Sequence, residues 1–166
     1  LLLIIVCIAY TSILPEVLHL LIELNSHKNL GRLKSAFEKI KAERIDCELV
    51  LIIKFVNEEE LDNLYKNASL LVFPSLCEGF GLPPLEAMKR GVPVVSSNAA
   101  CLPEILGNAV LYFNPLDVDD IAGKIKKALL DEDLRKDLIQ KGFEQIKKYN
   151  WQKTAQETLK VYSMIR

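Results

Sequence analysis

The sequence predicts an α/β fold in which a mostly parallel sheet carries helices on both faces. Short apolar runs such as 69–73 and 92–96 alternate with segments of helical periodicity, and this alternation is typical of parallel sheets buried on both sides. Gly91 separates a helical segment from the apolar run that follows it, as a glycine that ends a helix does. Half of the 166 residues are hydrophobic, which is enough for a substantial core.

The first part of the chain contains the less regular elements. We predict a strand at 2–9, a helix at 13–24, a helix at 30–43, one or two strand fragments at 47–56 and a helix at 58–67. The first run is too short to span a bilayer, so a buried parallel strand is favoured over a membrane anchor. Ser12 suits the N-cap of the first helix, and the second helix has apolar residues spaced by three and four. Lys54 interrupts the run at 47–56, while Asn57 caps the next helix and acids at 58–60 suit its dipole.

The second part of the chain has a clear strand and helix rhythm. We predict strands at 69–73, 92–96 and 109–113, and helices at 83–90, 102–106, 118–130, 132–148 and 151–165. Asp117 is a good N-cap for the helix at 118–130, whose apolar stripe is regular. Ligands of parallel sheets bind at the carboxyl ends of the strands, so the loop after the strand at 69–73 is a candidate site.

Composition excludes several classes of function. The formal net charge is −1, so no overall field attracts nucleic acid or a membrane surface. The four cysteines form no C-x-x-C pair and the two histidines add no metal-ligand spacing, which indicates reduced cysteines in a cytosolic protein and no metal site. No G-x-G-x-x-G follows a strand, which argues against a nicotinamide-dependent enzyme.

The candidate loop lies within the segment PSLCEGFGLPPLEAM, residues 74–88. Gly79 and Gly81 allow positive φ and let backbone N–H groups approach a ligand. Pro83 and Pro84 fix φ at the start of a helix, where a missing N–H is tolerated. A helix that begins after a glycine-rich turn is a site for an anion such as phosphate.

Two glutamates flank this turn and do not suit phosphate. Glu78 lies in the turn and Glu86 is expected in the first helical turn, and a carboxylate binds hydroxyls or amines. A ligand with a central diphosphate and hydroxyls at both ends, such as a nucleotide sugar, satisfies all the parts. The alternative is that Glu86 only complements the helix dipole and that Glu78 is a solvated loop acid.

Several motifs in order resemble the C-terminal lobe of the retaining group 1 (family four) glycosyltransferases of GT-B fold. They are EGFGLP at 78–83, EAM at 86–88, GVPVV at 91–95 and LPE at 102–104. The resemblance extends to the end of the chain, and the motifs are most similar to those of the mannosyltransferase-like and rhamnosyltransferase-like branch. It implies a Rossmann-like lobe that binds a nucleotide diphosphate sugar and supports transfer of the hexosyl unit, with retention, to an acceptor hydroxyl.

The resemblance also implies roles for the residues of the turn. Glu78 would contact hydroxyls of the donor sugar, while Gly79, Phe80 and Gly81 would present backbone to the sugar and the diphosphate. Leu82 would lie near the phosphates or the nucleoside.

Two further residues receive roles in the same way. Glu86 would bind the ribose hydroxyls. HKNLGRLKSAF resembles the lysine-containing segment of the family, so Lys28 would face the diphosphate and share the catalytic work with Glu78. The resemblance further implies that no bound metal is needed and no cofactor beyond the donor.

The chain departs from the family pattern before Lys28 and after Ile52. Residues 22–27 contain neither the glycine nor the arginine that usually precede the lysine, and the segment after Ile52 is shorter than in the family. We expect 25–166 to be the C-terminal nucleotide-sugar-binding lobe. Residues 1–24 would be its divergent first strand and helix or a remnant of an N-terminal lobe.

The resemblance also sets expectations for partners and location. The expected partners are a nucleotide-sugar donor, an acceptor sugar or lipid-linked sugar, and a missing N-terminal lobe, without nucleic acid. The expected location is cytoplasmic, with peripheral contact of the full-length enzyme at the inner membrane face. Trp151 is expected to pack in the core or against the other lobe. The alternative function is a non-catalytic or decayed nucleotide-sugar-binding module.

Overall fold

The structure, a computed structural model, describes residues 6–7, 26–51 and 57–165. The strands are β1 (Val6–Cys7), β2 (Val50–Leu51), β3 (Leu71–Phe73), β4 (Val94–Ser97) and β5 (Leu111–Phe113). A 3-10 helix at Ser26–Lys28 precedes the α-helices α1 (Leu30–Ala42), α2 (Glu58–Lys66), α3 (Leu82–Lys89), α4 (Leu102–Leu106), α5 (Val118–Leu130), α6 (Glu132–Ile146) and α7 (Trp151–Ser163).

The central sheet is parallel, with β4 between β3 and β5. Val72 is opposite Val95 in one pair of strands, and Ser96 is opposite Tyr112 in the other. Each connection between these strands contains a helix, which returns the chain to the opposite edge of the sheet. Because the strands are parallel, all their carboxyl ends lie at one edge. The predicted α/β fold is therefore confirmed.

The core lies on both faces of this sheet because its strands are apolar on both sides. Leu70 and Val72 contribute to one apolar cluster, which also contains residues of α1 and α5. Leu71 and Phe73 contribute to a second cluster, which also contains residues of α2, α3 and α4. The alternation along β3 follows from the two-residue repeat of a strand, so successive side chains reach opposite helical layers.

Helix α3 ends at Lys89, and Gly91 follows its C-cap as the sequence predicts. Gly91 has φ of 71°, and its N–H donates to the carbonyl of Met88 while that of Val92 donates to Ala87. This pair of bonds satisfies the last carbonyls of the helix and turns the chain directly into β4.

One part of the prediction is wrong, and two parts lie outside the residues that the structure describes. The apolar run at 2–9 was expected to be parallel, but its described part, β1, pairs antiparallel with β2. An apolar run fixes burial and not direction, which depends on how the connecting chain returns. The helix predicted at 13–24 and the segment 52–56 lie outside the described residues, so the proposed domain division at residue 25 stays a prediction.

Helix α7 differs from the other helices because none of its residues is buried. Trp151 begins this helix and is 78% exposed, so it does not pack in the core, and the expectation that it packs against the other lobe stays a prediction. Its N-cap is nevertheless well formed, since the Asn150 side chain accepts from the N–H of Gln152 at 2.8 Å. The helix is thus set up by local capping and leaves an apolar surface without a partner among the described residues.

Candidate functional site

The candidate site lies at the carboxyl edge of the parallel sheet. The loop after β3, residues 74–81, contains the glycine-rich turn, and the loops after β4 and β5 end at the same edge. The 3-10 helix that carries Lys28 is tied to this edge by a backbone bond, in which the N–H of Leu76 donates to the carbonyl of His27 at 2.8 Å. The fold thereby places two distant segments of the chain side by side.

Lys28 and Glu78 are in direct contact, although 50 positions separate them. Lys28 Nζ lies 2.6 Å from Glu78 Oε1, and the side chains are only 17% and 16% exposed. Lys28 Nζ also lies 5.9 Å from the centroid of the Phe73 ring. Glu78 is therefore not a solvated loop acid, because its carboxylate is largely removed from water and has a cation as partner.

Asn29 fixes the position of Lys28 relative to the sheet. Its side-chain Nδ2 donates to the carbonyl of Pro74 at 3.2 Å and to that of Pro115 at 2.7 Å, which joins the loops after β3 and β5. The residue is 4% exposed and has φ of 56°, a conformation that asparagine tolerates better than most residues. Asn29 is a positioning residue that sequence reasoning missed, and its place in the polar break before α1 was the only available signal.

The two glycines of the turn differ in what they allow. Gly81 has φ of 89°, and a Cβ at this position would lie 2.8 Å from Leu102 Cδ2, so both conformation and packing favour glycine. Gly79 has no positive φ of this kind, which corrects the expectation for that residue, and a Cβ there would meet nothing within 4 Å. Space beside Gly79 is therefore open, whereas an alanine at Gly81 would be strained.

The turn offers unpaired hydrogen-bond donors. Within the described part of the chain, the backbone N–H groups of Gly79, Phe80, Gly81 and Leu82 have no acceptor. The next two residues of α3 are prolines without N–H groups, so the donors at this helix end come from the turn and the first helical residue only. A row of free N–H groups at a helix N-terminus is suited to an anion.

Two apolar side chains of the motif remain partly open to solvent. Phe80 is 39% exposed and packs edge-on against Tyr149, with ring centroids 5.4 Å apart. Leu82, the first residue of α3, is 38% exposed. Exposed apolar groups beside free N–H donors make a surface on which a sugar or a base could lie.

Glu86 is separate from the ion pair of Lys28 and Glu78, and its carboxylate contacts Tyr65 of α2. Tyr65 Oη lies 3.3 Å from Glu86 Oε2 and at the same distance from the carbonyl of Pro83. Arg90 packs its guanidinium over the Tyr65 ring at 4.8 Å and donates to the Glu86 carbonyl. Because α3 begins at Leu82, Glu86 lies beyond the first turn, and the expectation that it complements the helix dipole there is wrong.

The cysteines near the turn have no catalytic arrangement. Cys101 Sγ lies 3.3 Å from the backbone carbonyl of Glu78, which ties the loop after β4 to the turn. Burial, with a smaller effect of the Glu78 and Glu104 carboxylates, raises the pKa of the Cys101 thiol, so it stays protonated at neutral pH. Among the described residues, no group of three or more acidic, histidine or cysteine side chains is placed to hold a metal ion.

Comparison with known proteins identifies the family. The sequence profile of the family described as "Glycosyl transferases group 1" matches residues 34–145. The chain belongs to the group 1 glycosyltransferases. The turn between β3 and α3 lies inside the matched region, whereas Lys28 and Asn29 precede it.

Two relatives of this glycosyltransferase are mannosyltransferases of Escherichia coli. The chain is 42% identical over 111 residues to "O-antigen chain mannosyltransferase B", which covers 67% of the chain and 29% of the relative. It is 46% identical over 101 residues to "Serotype-specific mannosyltransferase WbdA", which covers 61% of the chain and 12% of the relative. The chain thus spans less than a third of either relative.

A solved structure supports the fold assignment. Sucrose-phosphate synthase from Thermosynechococcus elongatus superposes with a TM-score of 0.60 at 28% identity, over 68% of the chain and 29% of that protein. The glycosyltransferase chain is therefore an α/β unit that corresponds to part of one lobe of a GT-B fold. Among the helices that the structure describes, none has the length and apolar composition needed to cross a membrane.

Proposed function

We propose that this chain is the donor-binding lobe of a retaining hexosyltransferase that uses a nucleotide diphosphate sugar. The observation that carries the proposal is the contact of Lys28 with Glu78 at 2.6 Å, beside a turn with free N–H groups. A cation and N–H donors suit a diphosphate, and a carboxylate suits sugar hydroxyls. Few ligands other than a nucleotide sugar present both chemistries within one short span.

The diphosphate would be bound by positive charge and backbone dipoles. Lys28 opposes the phosphate charge, and the N–H groups of Gly79, Phe80, Gly81 and Leu82 donate to the phosphate oxygens. As the bond between the anomeric carbon and the phosphate oxygen breaks, negative charge grows on the leaving diphosphate, and these groups stabilise it. We propose that no metal is needed, because the chain supplies its own cation.

The ribose would be bound at the other end of the turn by Glu86. Its carboxylate already accepts from Tyr65, which holds it in place and leaves lone pairs for two hydroxyls. Arg90, stacked on Tyr65, keeps this arrangement rigid. The division of roles is therefore sugar at Glu78, diphosphate at the turn and ribose at Glu86.

The sugar and the acceptor are proposed from the relatives. Two of them are mannosyltransferases, and mannose is accordingly the first hexose to test. The acceptor would be a hydroxyl of a sugar or a lipid-linked sugar. The reaction would take place in the cytoplasm, with peripheral contact of the whole enzyme at the membrane.

A second lobe is part of the proposal. The chain spans 29% of one mannosyltransferase relative, and α7 exposes Trp151, Leu159 and Tyr162 without burying any residue. We propose that an N-terminal lobe covers this apolar helix and supplies the acceptor site. Without it the acceptor is not positioned, so the isolated chain should turn over poorly even when it binds donor.

The test is a titration of the chain by isothermal calorimetry with GDP, UDP, ADP and dTDP. We expect one of them to bind, and we expect Glu86→Ala to weaken that binding roughly tenfold through loss of two charge-assisted hydrogen bonds. Glu59→Ala, which removes an exposed glutamate of α2, is the matched control and should bind as the unmodified chain does. No binding of any of the four at millimolar concentration would refute the proposal, and unchanged affinity of Glu86→Ala would refute the ribose assignment.

One alternative is a module that binds nucleotide sugars without catalysis. It is favoured by the absence of glycine and arginine from residues 22–27, which leaves Lys28 without a second cation before it. The two functions separate in a transfer assay with an N-terminal lobe supplied in trans. Transfer that depends on Lys28 supports the enzyme, and donor binding without any transfer supports the module.

A further inference from the structure

The ion pair between Lys28 and Glu78 occupies the place where both parts of a donor would bind. Its atoms are 2.6 Å apart, and at 17% and 16% exposure both side chains are largely shielded from water. Cys101 Sγ donates to the backbone carbonyl of Glu78 and not to its carboxylate. Within the described residues, Lys28 is the one side chain that donates to that carboxylate.

We infer that this ion pair makes the site select the intact nucleotide sugar over the nucleoside diphosphate that the reaction releases. The inference rests on the proposed function and adds to it a reason why product would leave. Lys28 and Glu78 contact each other in the ligand-free chain, and the two ligands differ in what they offer these side chains.

A nucleoside diphosphate satisfies only one member of the pair. Its phosphates draw Lys28 away from Glu78, because a phosphate carries more negative charge than a carboxylate. The Glu78 carboxylate is then left without a donor in a partly desolvated position, with phosphate charge nearby. An ionised carboxylate left without a partner in such surroundings is costly, and this cost opposes binding.

An intact nucleotide sugar satisfies both members. Its phosphates take Lys28, and the hydroxyls of the attached hexose donate to Glu78 in place of the lysine. The carboxylate is never left without a donor, so only the product bears the cost of breaking the pair. Loss of the hexose on transfer therefore weakens binding of the part that remains.

The inference is tested by comparing four pairs of ligands on the full chain by calorimetry. The pairs are GDP with GDP-mannose, UDP with UDP-glucose, ADP with ADP-glucose and dTDP with dTDP-rhamnose. For the base that binds, we expect the nucleotide sugar to bind about tenfold tighter than its diphosphate, a difference of about 1.4 kcal/mol. If the diphosphate binds as tightly as its sugar or tighter, the inference is wrong.

The variant Glu78→Gln makes a second and independent measurement. It removes the charge that competes for Lys28, so the nucleoside diphosphate should bind about tenfold tighter, while the nucleotide sugar binds no tighter than before. Glu59→Gln makes the same change of charge on an exposed glutamate of α2 and should leave both affinities unchanged. Circular dichroism of each variant verifies that it is folded.

The possible outcomes are distinct. A preference for the sugar that falls in Glu78→Gln and persists in Glu59→Gln supports the inference. Equal loss of both affinities in Glu78→Gln means that Glu78 only maintains the structure, and the inference is overturned while donor binding stands. If Glu78→Gln does not fold, the preference of the unmodified chain for nucleotide sugar over nucleoside diphosphate alone decides the inference. If none of the ligands binds the unmodified chain, the proposed function itself is refuted.

Discussion

Replacing Gly81 by alanine should destabilise the fold, whereas the same change at Gly79 should not. The two glycines are two positions apart in one turn, and their surroundings differ in conformation and in space. Gly81 has φ of 89° and ψ of 56°, in the left-handed region. Gly79 has neither a positive φ of this kind nor a neighbour within 4 Å of an added Cβ.

The expected loss at Gly81 has two parts. Left-handed backbone costs an alanine about 1–2 kcal/mol. The new methyl group would lie 2.8 Å from Leu102 Cδ2, and Leu102 is fully buried in the core, so it can move little. Overpacking of this kind costs about 1–3 kcal/mol, and because the contact is with the end of a side chain we take the lower part of that range. The free energy of unfolding should therefore fall by about 2–3 kcal/mol.

The assay is urea unfolding of the two variants and the unmodified chain, followed by circular dichroism. Gly79→Ala should be within about 0.5 kcal/mol of the unmodified chain, or slightly more stable because alanine restricts the unfolded state. If the space beside Gly79 receives the diphosphate, this variant should nevertheless bind nucleoside diphosphate less tightly. Equal stability of Gly81→Ala and the unmodified chain would refute the reasoning, as would an equal loss in both variants.

Three further predictions follow from single contacts. Asn29→Gly keeps the left-handed backbone but removes three side-chain hydrogen bonds, two donated to Pro74 and Pro115 and one accepted from Arg32, so unfolding should become about 1–2 kcal/mol easier in urea, and nucleoside diphosphate affinity should fall. In a Lys28→Ala background the same change should leave that affinity unaltered, because Asn29 acts through Lys28; a further loss would indicate a general structural role. Tyr65→Phe frees the Glu86 carboxylate and should weaken binding of a ribose-containing diphosphate but not of inorganic pyrophosphate, measured by calorimetry; equal weakening of both would contradict the ribose role. Burial raises the pKa of Tyr112 to about 12, so its contribution to stability is complete below about pH 10 and is lost as pH rises toward 12. The stability gap between the unmodified chain and Tyr112→Phe should therefore narrow from pH 8 to pH 11 in urea unfolding, and a constant gap would be inconsistent with this shift.

Local signals in the sequence predicted well the helices at 30–163 that the structure describes. Helix α5 occupies Val118–Leu130 as expected, because a capping aspartate and a regular apolar stripe fix both its start and its buried face. Helix α2 begins after Asn57, whose side chain accepts from Glu60 in a capping box. Both features lie within a few residues of the element they define, and so a sequence shows them directly.

Strands were predicted less accurately because pairing decides where they begin. The apolar run at 69–73 forms a strand only over Leu71–Phe73, since its partner β4 offers Val94–Ser96 as pairing residues. The parallel direction predicted for β1 was wrong for the same reason, since β1 pairs antiparallel with β2. Pairing depends on a distant segment, whereas an apolar run reports only that its residues are buried.

The candidate site divides in the same way. The resemblance supplied Lys28 and Glu78 as separate residues, and nothing in the sequence indicated that they contact each other across 50 positions. Tyr65, which holds Glu86, was seen only as part of a helix. Contacts between distant segments arise from tertiary packing, and single-sequence patterns do not encode them.

The link between His27 and Leu76 uses backbone atoms only. A bond between two peptide groups makes no demand on side chains, so the residues at these two positions can change during evolution while Lys28 stays beside the turn. The position of Lys28 beside the turn therefore does not depend on the side chains of His27 and Leu76.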